Sequence, residues 1–225
     1  MRSRLSSVFV GNLLLAIGLV VIGWPSSLAA FRRAPIEALL SAVRTGNVAA
    51  PAETDLLVQH LVAAGETSPA AYDELAFVFL LAAGRKDADA SWRAAQLDKA
   101  VAAFRNYLAN VPGDALAWAG LSDALFSQDR RVDAMRALKM SMVTAPRSPS
   151  LLLWRCRIGL DLFYILDSEG RDLLEQQFAL TMEKSPMAVV ELAARHDSVP
   201  IVRSLLEDDP AALARFDELL ATRHS

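Results

Sequence analysis

Three residues of the stretch LDKAVAAFRNYLANVPGD, Ala100, Phe104 and Pro112, recur at one constant offset as Ala134, Leu138 and Pro146. The segments that precede them correspond as well: Tyr72, Leu75, Ala76 and Phe79 stand against Trp118, Leu121, Ser122 and Leu125. Both sets have helical spacing, so each unit reads as a helix, a turn and a second helix that ends at proline. Small residues such as Ser122 and Ala134 let the two helices approach, while leucine and aromatic positions fill the seam between them. A unit of this size cannot bury its apolar face alone. A fixed period of this length therefore predicts stacked units with atypical ends.

Nothing from Phe31 onward alternates as a strand would, which predicts an all-α chain. The pattern of a bulky residue, a leucine, a small residue and another bulky residue, followed by alanine, a bulky residue and proline, resembles the tetratricopeptide repeat (TPR). The offset between the second helices matches that family's unit of about 34 residues. Residues 115–148 fit it without a gap, although the family's usual glycine and tyrosine are Ser122 and Leu125 here. Residues 68–114 fit if GRKDADASWRAA (84–95) is an insertion between the two helices. The region 149–186 is degenerate, keeping the spacing of Phe178 and Pro186 but lengthening its first helix, SLLLWRCRIGLDLFYIL. The resemblance thus divides the chain into an N-terminal segment (1–31), a helical pair (32–66), TPR-like repeats (67–186) and a helical C-terminal cap (187–225). A second resemblance, carried by RSPSLLLWRCRIGLDLFYILD, RDLLEQQFALTMEKSPMAVVELA and VRSLLEDDPAALARF, is to small anchored repeat proteins of Gram-negative bacteria associated with exopolysaccharide or envelope assembly.

Ser68-Pro69, Ser148-Pro149 and Asp209-Pro210 each place a capping oxygen before a proline at the first helical position, where its missing N–H costs nothing. At the N-terminus, Arg2 and Arg4 precede a run from Leu5 to Trp24 whose only polar side chains are Ser6, Ser7 and Asn12. Twenty residues in a helix span roughly 30 Å, the thickness of a bilayer's hydrocarbon. Trp24 and Pro25 suit an interfacial anchor and a helix stop. Residues 5–24 are therefore expected to cross the inner membrane once. The competing expectation is a signal sequence cleaved near Ser27-Leu28-Ala29, which would release a periplasmic repeat protein. Arg32 and Arg33 nearly balance Arg2 and Arg4, and export of the repeats to the periplasm is favoured because the segment also reads as a signal sequence.

The formal charge of −3 gives no basic footprint for nucleic acid. His60, His196 and His224 lie far apart and have no partner at metal-ligand spacing, and no phosphate-cradling loop or nucleophile motif occurs. No catalytic residue, cofactor or metal is expected. Cys156, in an apolar helix, reads as a small buried hydrophobe, with Arg155 and Arg157 as neighbours that would otherwise lower its pKa. Asp209 is expected to cap the last helix.

The resemblance implies a partner-binding groove along the first helix of each hairpin. Carried over residue by residue, its positions are Asp73, Phe77 and Leu80 in one repeat and Leu116, Ala119, Asp123 and Phe126 in the next. Ala119 and Asp123 stand where some members hold a peptide carboxylate with lysine and asparagine, so that activity is not implied. A groove of Phe, Leu and Asp suits an apolar or weakly basic protein segment. The alternative at these positions is that a neighbouring helix covers Phe77, Leu80 and Phe126 as core. Trp92, in the insertion, is either packed back on its hairpin or a second contact point. The expected function is that of a membrane-tethered interaction scaffold or accessory subunit. The alternative is a structural subunit that packs through its anchor, where Gly11, Gly18 and Gly23 allow close helix approach.

Overall fold

Asparagine, aspartate, glycine and proline cut the chain into helices of 7 to 21 residues, most of them too short to be stable alone, and their order fixes how they pack. The computed structural model describes residues 59, 69–85 and 89–223. Among these residues the chain is all-α, with nine helices, one short 3₁₀ turn and no strand. The helices are α1 (Pro69–Ala83), α2 (Ala90–Asn110), α3 (Ala115–Ser127), α4 (Arg131–Thr144), α5 (Pro149–Leu162), α6 (Ser168–Lys184), α7 (Pro186–Arg195), α8 (Val199–Leu205) and α9 (Pro210–Arg223). The expected anchor (1–31) lies outside the described residues, as does the N-terminal pair (32–66) apart from Gln59, which is helical. None of the described helices is long and apolar enough to cross a membrane.

Each helix from α1 to α7 packs against the next, and α1, α3, α5 and α7 pack against one another in turn. The chain therefore forms three successive hairpins, α1–α2, α3–α4 and α5–α6, followed by three further helices. Within the second hairpin the crossing is made by Ser122 and Ala134, both fully buried, and the Ser122 hydroxyl donates to the Ala134 carbonyl at 2.8 Å. Ser141 repeats the device at the other end, donating to Ala115 O at 2.6 Å. Closeness between hairpins is set by Gly120, where a Cβ would lie 2.3 Å from the buried Phe104 ring. The C-terminal helices close the stack around Phe178, Val189, Val190, Val202 and Phe216, which belong to one buried cluster.

The turns show which local expectations survive. Asp114 caps α3, accepting from Leu116 N and Ala117 N at 2.9 and 3.0 Å, and Asp209 caps α9 from Ala212 N at 3.0 Å. Ser148 does not cap α5 with its side chain. Its own carbonyl takes the Leu151 N–H at 3.0 Å, and its hydroxyl lies 3.3 Å from that of Ser150. Asp129 makes the turn between α3 and α4 in the left-handed region (φ 58°), which aspartate tolerates better than most residues.

Two expected irregularities resolve differently from the repeat register. The stretch 84–95 is no separate loop from Ala90 onward: it is the beginning of α2, which runs for 21 residues. Asp89 starts that helix by accepting from Trp92 N at 2.7 Å and Ser91 Oγ at 2.8 Å. The extra length faces α1, because Arg93 donates back to Ala83 O at 3.2 Å and Arg85 O at 3.3 Å. The first helix of the third hairpin is extended by a change of helix type: α5 has 14 residues and passes directly into the 3₁₀ turn Phe163–Ile165.

Candidate partner-binding site

The expected groove positions fall into three environments. Leu116 is 43% exposed, whereas Ala119 is fully buried and offers no surface. Asp73, Phe77, Leu80, Asp123 and Phe126 are half-buried. Phe77 packs edge-on to Phe104, with ring centroids 5.0 Å apart and planes at 85°, and lies 6.4 Å from the Trp154 ring. A side chain on α1 thereby reaches one on α5, so the first helices of all three hairpins share this face.

Asp123 organises the middle of that face. Its Oδ2 accepts from Trp154 Nε1 at 2.9 Å and from Arg157 Nη2 at 2.6 Å. Arg157 also lies 3.6 Å from Asp161, and Asp161 Oδ1 lies 3.3 Å from His196 Nδ1 at the end of α7. The result is a polar line from α3 across α5 to α7, with the charge of Asp123 already paired. Sequence reasoning placed Asp123 here but missed Trp154, Arg157, Asp161 and His196. The available signal was the offset: Asp123 and Arg157 are 34 residues apart, opposite charges at equivalent repeat positions.

Behind this face, the junctions between hairpins are built differently. Between the first two, α2 and α4 flank a cleft of about 420 Å³ floored by Trp118, Leu121 and Leu125 of α3. Leu108 and Ala109 of α2 and Ala137 and Met140 of α4 form its apolar walls, and Arg105, Asp133 and Arg136 its rim. Trp118 is held in place by its indole N–H, which donates to Pro112 O at 2.8 Å.

Between the second and third hairpins the corresponding space is filled by a buried guanidinium. Arg155 is fully buried and donates four hydrogen bonds: Nε to Ser141 Oγ (3.0 Å), Nη2 to Ser141 O (2.6 Å), and Nη1 to Ala145 O (2.9 Å) and Gln177 Oε1 (3.1 Å). Gln177 completes the seal by donating to Pro146 O at 3.0 Å. The carbonyls are those at the end of α4, where the helix dipole is negative and each oxygen has a lone pair to spare beside its one backbone N–H. This explains how a cation survives burial without a carboxylate. Burial lowers its pKa from 12.5 to about 10, so the group stays charged at neutral pH. Outside the seal, Lys139 bridges α4 to Asp167 at 2.9 Å and to Glu169.

Cys156 and Trp92 are the remaining candidates. The Cys156 thiol is fully buried, 3.4 Å from Thr181 Oγ1, and burial pushes it up to about 12 despite Arg155 beside it. It therefore holds its proton at neutral pH and packs as a hydrophobe. Trp92 is half-buried on the first turn of α2, with Arg85 5.9 Å from its ring centroid. Among the described residues no group of His, Cys, Asp and Glu is arranged to hold a metal ion. Comparison of the chain with protein-family models, with curated proteins and with solved structures finds no match in any of the three.

Proposed function

We propose that this chain is a membrane-tethered scaffold of the TPR type, whose stacked hairpins capture a segment of a protein partner. The observation that carries the reading is the sharing of one face by α1, α3 and α5, seen in the reach of Phe77 to Trp154 and of Asp123 to Arg157. Such stacking turns separate hairpins into one extended surface, which is how repeat proteins recognise segments longer than a single pocket. The constant offset between equivalent residues of the two repeats supports the TPR assignment. The apolar run at 5–24 supports tethering to the inner membrane with the repeats on the periplasmic side. Tethering would raise the local concentration of the scaffold for a membrane-bound partner. The pathway in which it acts is proposed to be envelope or polysaccharide assembly.

The test is co-purification from detergent-solubilised native membranes. The bait is the wild-type chain beside Leu116→Arg with Leu153→Arg, two exposed leucines on the first helices α3 and α5. These changes spare Phe77, Ala119 and Asp123, whose packing or pairing belongs to the fold. A partner recovered with wild type and lost with the still-folded variant is expected. Absence of any membrane partner, or a chain that alkaline carbonate strips from the membrane, contradicts the reading.

A further inference from the structure

We propose that the cleft between α2 and α4 is a second docking site, and that its occupant is an acidic protein segment anchored by a bulky apolar side chain. The inference rests on the scaffold reading above and adds to it a place and a class of partner. At about 420 Å³ the cleft has the size of a site for a small group of side chains, within the roughly 300–1,000 Å³ of ligand-holding clefts. Its floor of Trp118, Leu121 and Leu125 can only favour apolar atoms, apart from an indole N–H already given to Pro112.

The rim supplies the charge preference. Asp133 is its sole acid, and it is contacted by Arg130 at 2.6 Å and Arg136 at 3.5 Å. Arg105, across the cleft on α2, makes no ion pair among the described residues, and Arg136 is 72% exposed. Two guanidiniums, Arg105 and Arg136, against one carboxylate, itself paired with Arg130 outside the cleft, leave the rim net positive over an apolar floor, which is complementary to a segment that carries acids on either side of its anchor. The face of α3 and α5 has the opposite character, since its charges are already paired with one another.

The neighbouring junction shows what this space accommodates. Leu121 and Ala137, which line the cleft, correspond to Arg155 and Gln177 one hairpin further on, where the chain fills the space with its own side chains. The first junction keeps the walls and lacks the filling. Apolar exposure continues outward along α4 through Val132, Met140 and Val143, at 55%, 42% and 58%, so an occupant would also meet an apolar strip beside the cleft.

The experiment is fluorescence anisotropy with the full-length purified chain and a labelled peptide, Glu-Glu-Leu-Phe-Glu-Glu-Leu, with a control in which lysine replaces each glutamate. The acidic peptide should bind, more weakly as salt rises, and the lysine peptide should not. Arg105→Glu with Arg136→Glu should weaken binding by about tenfold or more, as loss of two rim charges predicts, without changing the melting temperature appreciably. Ala137→Leu, which fills the cleft and leaves its charge intact, should weaken it as well. Equal binding of the two peptides, or binding untouched by both variants, overturns the proposal. If the acidic peptide fails to bind while a native partner still depends on Leu116 and Leu153, this inference falls and the scaffold reading stands. If neither binds, both fall.

Discussion

The two junctions between hairpins use the same backbone plan and reach opposite ends. At the first, α2 and α4 stand over α3 with a cleft between them, and a tryptophan satisfies the proline carbonyl that ends the hairpin. At the second, α4 and α6 pack directly, Gln177 satisfies the equivalent carbonyl at Pro146, and Arg155 adds a bond to Ala145 O beside it. Leucine and alanine in one place, arginine and glutamine in the other, separate an open junction from a closed one. A stacked-helix protein need not change its fold to create a site. It has only to leave one junction without its filling.

The largest expected effect comes from breaking the closed junction. Arg155→Ala removes a cation, leaves Gln177 Oε1 without its donor, and leaves Ser141 O and Ala145 O with only a backbone N–H each in a dry interior. A cost of about 3–5 kcal/mol is expected in urea unfolding, from the cavity and the four lost hydrogen bonds together. A loss under about 1 kcal/mol would mean that water replaces the guanidinium and that the junction is not sealed.

Alkaline pH probes both junctions at once. Cys156 at the second is raised from 9.0 to about 12, and Tyr107, beside Asp114 at the first, from 10.0 to about 12, both chiefly by burial. The folded chain then holds protons that the unfolded chain has released, so stability should fall as pH rises from about 9 to about 10. Above that, Arg155, lowered from 12.5 to about 10, acts in the opposite sense and offsets the decline. Urea midpoints across that range should show the decline, and Cys156→Ala should flatten its lower part. A midpoint independent of pH over this range would contradict the burial of Cys156.

Gly120→Ala tests the closeness of the first two hairpins. The new methyl would meet the Phe104 ring at 2.3 Å and the Phe77 ring at 3.0 Å. Overpacking of this kind costs about 1–3 kcal/mol, against about 1 kcal/mol gained in helix propensity, so a small net loss is expected in thermal melts. Smaller still is Asp123→Ala, which frees Trp154 Nε1 while Arg157 keeps Asp161. About 1 kcal/mol is expected, with a shift in tryptophan emission as the indole loses its acceptor. A gain in stability from either change would show that the packing around the first helices is looser than described.

The sequence pattern predicted the hairpins because their rules are local. Prolines end helices, Asp114 and Asp209 cap them, and Ser122 and Ala134 announce a close crossing. The extra residues of 84–95 are taken up from Ala90 onward as the start of α2, a form that the repeat register alone did not fix and that Asp89 and Trp92 signal. The pattern could not recognise Arg155, because the acceptors that make a buried guanidinium tolerable lie 14, 10 and 22 residues away and converge only after stacking. Ala119 shows the same limit from the other side: its position in the repeat points to the groove, and packing between hairpins removes it from the surface.

The most direct test of the contrast between open and closed junctions is site-specific photocrosslinking in intact cells. A benzophenone amino acid would be placed at Met140, on the wall of the cleft, and at Leu180, the equivalent position on α6 beside the sealed junction. We expect a discrete adduct with a protein partner from residue 140 and none from residue 180. An adduct from 180 alone, or equal adducts from both, would contradict the claim that the open junction is a docking site and the closed one is not.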